Sequence, residues 1–380
     1  MPTEPTTLQN SADLPIVTIA SKNYLAHVRT LAQSYLEHHP NGKVFLCLVD
    51  HVDGYFNPAD EPFTLILAED LGIPNWPYFS FKYNIVELNT AVKPFVLKKL
   101  FDTYQYDKLV YFDPDIVLYT PLHELNALLD TYGVVLTPHI LSPIGPINDT
   151  RVPSEFGILM AGMYNLGFIA LSRRTNLDVL LLWWQERLYD YCINDPQRGF
   201  FVDQRWMDFA PSLFDNVFIW RNPGCNVAHW NMFQRPIEND GLRPTVEGEP
   251  LQFMHFSRFN VERATELFNI TRFKLADLAA TTQALYADYR ERLLANGYTQ
   301  VKDWPYAYGK FDNGETIIKE IRSWYRRLDA RGQRWPNPFQ AGADSFFQFF
   351  RRRQRLAQVA KFFLGEKHYI RLRKRILSLD

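Results

Sequence analysis

Val110-Tyr111-Phe112-Asp113-Pro114-Asp115-Ile116-Val117 decides how this chain is read. The apolar run Lys108–Phe112 predicts a buried strand, and it delivers two carboxylates at its carboxyl end, the edge where open α/β sheets bind ligands. Side chains alternate along a strand, so Asp113 and Asp115 are expected to point the same way and reach one cation. Carboxylate oxygens suit hard divalent ions such as Mg²⁺ and Mn²⁺. An Asp-Pro-Asp turn is also a common piece of loop chemistry. Its position directly after a buried strand is what makes it a metal candidate.

Working outward, Pro15–Ser21, Val44–Asp50 and Phe63–Leu67 read as short buried strands, with a helix from Leu25 to His38 stopped by Pro40-Asn41-Gly42. Strand, helix, strand in that order predicts parallel pairing through right-handed crossovers. A long helical pattern from Phe79 to Phe101 carries Pro94, which is expected to break or kink it. Leu122–Leu129 reads as a short helix, Val134–Thr137 as a strand, Tyr164–Leu171 as a loop entering a strand, Leu177–Leu188 as an amphipathic helix and Phe253–Phe256 as a last short strand. Beyond about residue 265 the pattern turns helical and loop-like, and Tyr308–Gly314 receives no role. The expected organisation is a tail over 1–13, an α/β domain over 14–264 and a helical extension over 265–380.

Composition narrows the class. With 41 Lys and Arg against 42 Asp and Glu, the net charge is -1, which gives no reason to expect a nucleic-acid partner. The aromatic share of 15% is high enough to line a sugar- or base-stacking cleft as well as a core. Cys47, Cys192 and Cys225 have no metal-site or disulfide spacing and fit a reducing, cytoplasmic setting. The polar start Met1–Leu14 does not read as a signal peptide, and no apolar run reaches the ~18 residues of a membrane span. The last thirty residues are different: Arg351, Arg352, Arg353, Arg355, Lys361, Lys367, Arg371, Arg373, Lys374 and Arg375 oppose only Glu366 and Asp380. Such a segment is read either as a solvated helix or as a peripheral contact with the anionic inner face of a membrane.

Several further segments, taken in order, resemble a glycosyltransferase of the GT-A fold. This is a Rossmann-like, mainly parallel central sheet flanked by helices, here with a helical C-terminal extension. Asp113-Pro114-Asp115 resembles the metal-binding DxD motif. Asn165-Leu166-Gly167-Phe168 resembles the Asn-x-Gly segment that touches the donor sugar, and Asp203-Gln204 the pair beside the anomeric carbon. His255 falls where a late histidine completes the metal site, Lys93 where a basic residue meets the donor, and Ala20, Ser21 and Tyr24 where the first strand ends on the nucleotide. The likeness covers about residues 14–260 and is greatest to family eight, the glycogenin and bacterial lipooligosaccharide galactosyltransferase group. The family's late His-x-Gly-x-x-Lys-Pro-Trp is here His255-Phe256-Ser257-Arg258, without the lysine, so a sister group of bacterial surface-polysaccharide enzymes is equally implied.

The resemblance implies transfer of a sugar from a nucleoside diphosphate, uridine by default, to a carbohydrate or lipid-linked acceptor. A divalent ion would offset the charge growing on the departing diphosphate. The histidine favours Mn²⁺ over Mg²⁺. Retention of configuration is expected, with Asp203 on sugar hydroxyls and Gln204 near the anomeric carbon. In an inverting reaction Asp203 would be the base. The bland alternatives are a satisfied core histidine for His255, a helix N-cap for Asp203, turn chemistry for Asn165 and Gly167, and a helix-surface charge for Lys93. Asn222–Asn226 and His229-Trp230-Asn231 form a polar, aromatic cluster suited to an acceptor sugar or to a packed loop, with Cys225 a buried small residue. Two other functions compete. A haloacid-dehalogenase-like phosphohydrolase shares the strand-Asp-x-Asp pattern but places that strand first. A non-catalytic sugar-binding module would not need both aspartates and His255.

Overall fold

The computed structural model describes residues 13–145, 155–263 and 275–356. The chain divides into two units, one made of Met1–Leu71 with Val86–Tyr306 and the other of Gly72–Ile85 with Ala307–Asp380.

The first unit is built on a seven-stranded sheet. Its strands are β1 (Ile16–Ala20), β2 (Val44–Leu48), β3 (Thr64–Leu67), β4 (Lys108–Phe112), β6 (Val134–Leu136), β7 (Phe168–Ser172) and β8 (Val217–Ile219), in the spatial order β8-β6-β7-β4-β1-β2-β3. β1 pairs in parallel with both β2 and β4, β2 with β3, and β6 with β8, whereas β7 runs antiparallel between β4 and β6. Every residue of β1 and β2 is buried, as continuous apolar strands covered on both faces must be. The architecture is therefore the mainly parallel, helix-flanked sheet expected from the strand and helix pattern. The edge strand β8, and the three-stranded sheet of Ile237–Asn239, Pro244–Val246 and Glu249–Pro250, were not anticipated.

Helix α1 (Leu25–His38) follows β1 and buries Leu25, Val28, Leu31, Ala32 and Tyr35, positions at helical spacing. The long pattern over Phe79–Phe101 resolves into three helices: α2 (Trp76–Lys82), α3 (Ile85–Ala91) and α4 (Lys93–Tyr104). Pro94 sits in the first turn of α4, where its missing N–H costs nothing, so it starts a helix rather than kinking one. α5 (His123–Leu128), α6 (Glu155–Ala161) and α7 (Leu177–Tyr191) complete the layers, and α8 (Ala280–Ala295) contributes Tyr286, Tyr289 and Leu293 to the same core.

The feature that positions the site is the exit from β4. Asp113-Pro114-Asp115 is a tight turn, with Ile116 N–H donating to the Asp113 carbonyl at 3.2 Å. The chain then enters β5 (Ile116–Leu118), which leaves the main sheet and pairs antiparallel with β9 (Phe253–His255) in the register His255↔Ile116. Phe112, Phe168 and Phe253 pack beneath this junction, with ring centroids 5.1 to 5.4 Å apart and no exposure. Each such burial stabilises by about 1.5–3 kcal/mol. These rings belong to the three segments that carry Asp113, Gly167 and His255, so core packing sets the spacing of the polar groups above it.

In the second unit α9 (Lys319–Asp329) packs on α2. The Arg322 guanidinium donates to the carbonyls of Phe81 (2.8 Å), Ser80 and Tyr308, and Phe81, Phe311, Tyr325 and Phe346 form an aromatic core. Tyr308 and Phe311, from the stretch left without a role, are thus core residues. Of the basic C-terminal cluster only Arg351, Arg352, Arg353 and Arg355 fall within the described residues. The proposed membrane-facing segment otherwise lies outside them. Among the described residues, no helix is long and apolar enough to cross a membrane.

Candidate active site

Asp113, Asp115 and His255 offer one ligand atom each within 4.8 Å of one another. His255 Nε2 stands 3.0 Å from Asp115 Oδ1 and 3.7 Å from Asp113 Oδ2. The two carboxylates converge because the chain turns between them, not because they alternate along a strand. The histidine arrives through the β5–β9 register. Burial pulls the His255 imidazole down, but the Asp115 carboxylate, by charge and hydrogen bond, and then Asp113 carry it above its ordinary value. Burial likewise pushes Asp115 up, and His255 more than reverses this, leaving Asp115 below the usual carboxylate range. The Tyr111 hydroxyl donates to Asp113 Oδ1.

Asn165 orients this centre. Its Oδ1 accepts from the Gly167 backbone N–H at 3.1 Å, which identifies that atom as the oxygen, and it lies 3.2 Å from His255 Nδ1. Nδ1 therefore carries a proton, and Nε2 faces the carboxylates. A hydrogen bond of this kind to the nitrogen remote from the metal holds a metal-binding imidazole in one tautomer. The same oxygen accepts from Asn226 Nδ2 at 3.1 Å, and Asn226 also donates to Thr137 Oγ1 at 2.8 Å. A Cβ on Gly167 would lie 2.4 Å from His255 Cε1 and 2.7 Å from its Nδ1. Glycine is needed here for close approach, since its φ is not in the left-handed region.

The residues present fit a divalent cation. Two carboxylates and one imidazole nitrogen suit Mn²⁺ or Mg²⁺. The 3.0 Å between Nε2 and Oδ1 is close to the edge of an octahedron with ligands at about 2.1 Å.

Beside the triad lies a buried ion pair. Lys93 is 1% exposed, and its ammonium donates to Asp203 Oδ2 and, at 2.7 Å, to the Leu166 carbonyl, over the Tyr111 ring. Burial raises the Asp203 pKa, with Lys93 opposing and Asp113 adding to the rise. Gln204 Oε1 accepts from the Leu166 N–H at 3.0 Å and from Asn165 Nδ2 at 3.3 Å, while its Nε2 donates to the Ala161 carbonyl. Lys93, Asp203, Gln204, Asn165 and Gly167 thus form one network with the triad. Lys93 meets Asp203 directly, so its charge is already committed. Ala20 and Ser21 sit at the carboxyl end of β1. The Ala20 carbonyl accepts from Val49 N–H, and Ser21 Oγ donates to the Val49 carbonyl and accepts from Asn89. Tyr24 is partly exposed as a residue and stacks on His27 at 4.1 Å, but its hydroxyl end is buried, and that burial, followed by the Asp115 carboxylate, holds its phenol well above its usual value.

Residues missed in the sequence are Tyr111, Thr137, His139 and His27. His139 Nε2 lies 3.4 Å from Asn165 Nδ2. Thr137 and His139 follow β6 at its carboxyl end, the sheet edge that ends β4 at Asp113, and that position was the available signal. A cavity of about 610 Å³ lined by Asp13, Tyr106, Lys108 and Arg173 lies at the opposite end of β4. It contains none of these groups.

No family model matches the chain. The uncharacterised protein YfnF of Bacillus subtilis (strain 168) is 29% identical over 197 residues, 50% of this chain and 62% of its own length. YfnD of the same organism is 25% identical over 190 residues, 49% of this chain and 58% of its own. The chain thus spans about three-fifths of the curated relatives it matches. Among solved structures, the galactosyltransferase LgtC in complex with donor and acceptor sugar analogues aligns over 82% of this chain and 99% of that chain, at 15% identity and a TM-score of 0.42. The glycosyltransferase GlyE of Streptococcus pneumoniae TIGR4 aligns over 79% and 67%, at 15% identity and 0.41.

Proposed function

We propose that this protein is a metal-dependent glycosyltransferase that moves a sugar from a nucleoside diphosphate, with uridine favoured, to a glycan or lipid-linked acceptor, with retention of configuration. The observation that carries the reading is the Asp113–Asp115–His255 triad, its imidazole held by Asn165 so that Nε2 faces both carboxylates. Bound there, a divalent cation supplies electrophilic stabilisation of a departing diphosphate. This chain's own residues do the rest. Asn165 and Gly167 fix His255. Lys93 holds the Asp203 carboxylate in place, and Asp203 and Gln204 present polar groups to the sugar on the side of the triad where Asn165 and Leu166 lie. The Tyr111 hydroxyl keeps one Asp113 oxygen occupied, leaving the other toward the shared centre. Arg258, in place of the family's lysine, offers a cation for a phosphate oxygen. Work at the cytoplasmic face of a membrane is part of the proposal and rests on the basic C-terminal sequence alone.

The test is a thermal-shift screen of nucleoside diphosphates and their sugar conjugates with and without Mn²⁺, because a ligand bound only by the folded state raises the melting temperature. A metal-dependent shift with at least one nucleotide is expected, followed by transfer showing an α-linked product from an α-linked donor. The absence of any metal-dependent nucleotide shift, or phosphate release from simple phosphomonoesters in its place, would overturn the reading.

A further inference from the structure

Four polar atoms around the Trp230 ring have no hydrogen-bond partner among the described residues although each is buried: Trp230 Nε1, His229 Nδ1, Asn226 Oδ1 and, beside them, His139 Nδ1. They are not scattered. The Trp230 ring stands edge-on to His255 with centroids 5.2 Å apart at 88°, and it is flanked by His229 at 5.0 Å and His139 at 5.5 Å. Asn226 is 1% exposed, and its amide nitrogen is spent on Thr137 Oγ1 and on the Asn165 oxygen that orients His255. That bond to a known acceptor fixes the Asn226 amide orientation, so its free oxygen is an acceptor. Trp230 Nε1 is a donor only. Buried polar atoms are ordinarily paired with protein or with ordered water, so an unpaired set gathered beside a site calls for a partner that the chain itself does not supply.

We infer that Trp230, His229 and Asn226 form the wall of a subsite that takes a neutral, hydroxyl-bearing sugar ring next to the metal triad, through hydroxyl hydrogen bonds and contact with the indole. The inference rests on the proposed glycosyltransferase reading and deepens it. A hydroxyl both donates and accepts, so it satisfies a free indole N–H and a free amide oxygen alike, whereas a carboxylate or phosphate oxygen only accepts and leaves Asn226 Oδ1 unpaired. Burial, reinforced by Arg258, holds His229 at about 4, so it is uncharged at neutral pH. The indole supplies an apolar face with a polar handle, the combination that suits a sugar ring. The ring belongs either to the donor or to the acceptor, and the two are separable by experiment.

The experiment uses the full chain with Mn²⁺ and two variants, Trp230→Phe, which keeps a ring and removes the N–H, and His229→Phe. Calorimetry measures binding of UDP, UDP-glucose and UDP-galactose, with GDP and GDP-mannose as a second set. Saturation-transfer NMR measures methyl glucosides, galactosides and mannosides in the presence of the nucleoside diphosphate and Mn²⁺. The plain nucleoside diphosphate is expected to bind the variants as it binds the wild type, which also reports that they fold. A donor ring on this wall shows as a loss of about fivefold or more in sugar-nucleotide affinity in each variant, and an acceptor ring as a comparable loss of glycoside binding with sugar-nucleotide affinity kept. The inference is overturned if both sugar arms stay within twofold of the wild type, or if the plain nucleotide weakens as much as its conjugates. In either of those cases the transferase reading stands. A wild type that binds no nucleotide with Mn²⁺ removes both.

Discussion

Gly167→Ala offers a sharp test of how the site is held. The added Cβ would meet His255 Cε1 at 2.4 Å, His255 Nδ1 at 2.7 Å and Asn165 Oδ1 at 2.8 Å, where ordinary contacts begin near 3.4 Å. About 1 Å must be relieved, and little can give. β7 is pinned by its pairing to β4, the His255 backbone by its pairing to Ile116, and the imidazole by Asn165 on one side and the Trp230 ring on another. Overpacking of this kind costs about 1–3 kcal/mol. The more specific effect falls on the metal. Ligand distances tolerate only ~0.2 Å, so a ring pushed by several tenths of an ångström loses its place opposite Asp115. Disturbing such an outer-shell contact lowers metal affinity by about 10–100-fold. The assay is Mn²⁺ titration calorimetry on the purified chain, with Gly145→Ala as control, since a Cβ there meets nothing within 4 Å. Wild-type Mn²⁺ affinity in Gly167→Ala, with the control equally unchanged, would refute the claim that Asn165 and Gly167 position His255 for a metal.

Asp115→Asn should abolish measurable Mn²⁺ binding at micromolar metal, and wild-type metal binding should weaken as pH falls, because the raised pKa of His255 keeps a proton on Nε2 that the metal must displace. A titration showing pH-independent affinity between pH 5 and 8 would exclude His255 as a ligand. Asp203→Asn should destabilise the protein by about 3–5 kcal/mol in urea unfolding, since it strands the Lys93 ammonium in the core. The Lys93→Met, Asp203→Leu double variant should recover much of that without recovering transfer. His27 titrates at about 4 in the fold against 6.5 unfolded, because burial lowers it while Asp115 opposes. A lowered histidine takes up its proton in the unfolded state first, so stability is lost as pH falls from about 6.5 toward 4 and is unaffected above that window. Between pH 7 and pH 5 this amounts to about 2 kcal/mol. Chemical unfolding of His27→Phe should show a pH dependence flatter by that amount, and an unchanged slope would contradict it.

How much of this was legible beforehand follows the range of the interactions involved. β1, β2, β4 and α1 were readable because their signal is local: continuous apolar runs, a helical repeat, and a Pro-Asn-Gly stop. Pro94 marked a real boundary. The break at Tyr83-Asn84, which separates α2 from α3, has no comparable marker. The edge strand β8 was missed because three residues of ordinary composition become a strand only by pairing with β6.

From residues alone came the class of sheet, the end of it that binds, and the two carboxylates delivered there, because strand burial and chain order are local properties of the polypeptide. Only the folded chain decided which groups meet. His255 joins Asp113 and Asp115 across some 140 residues through the β5–β9 register, Lys93 closes on Asp203, and Trp230, His229 and Asn226 gather on one wall. Such meetings depend on long-range packing of rings such as Phe112, Phe168 and Phe253. No spacing along the chain encodes the distance between side chains that tertiary packing brings together.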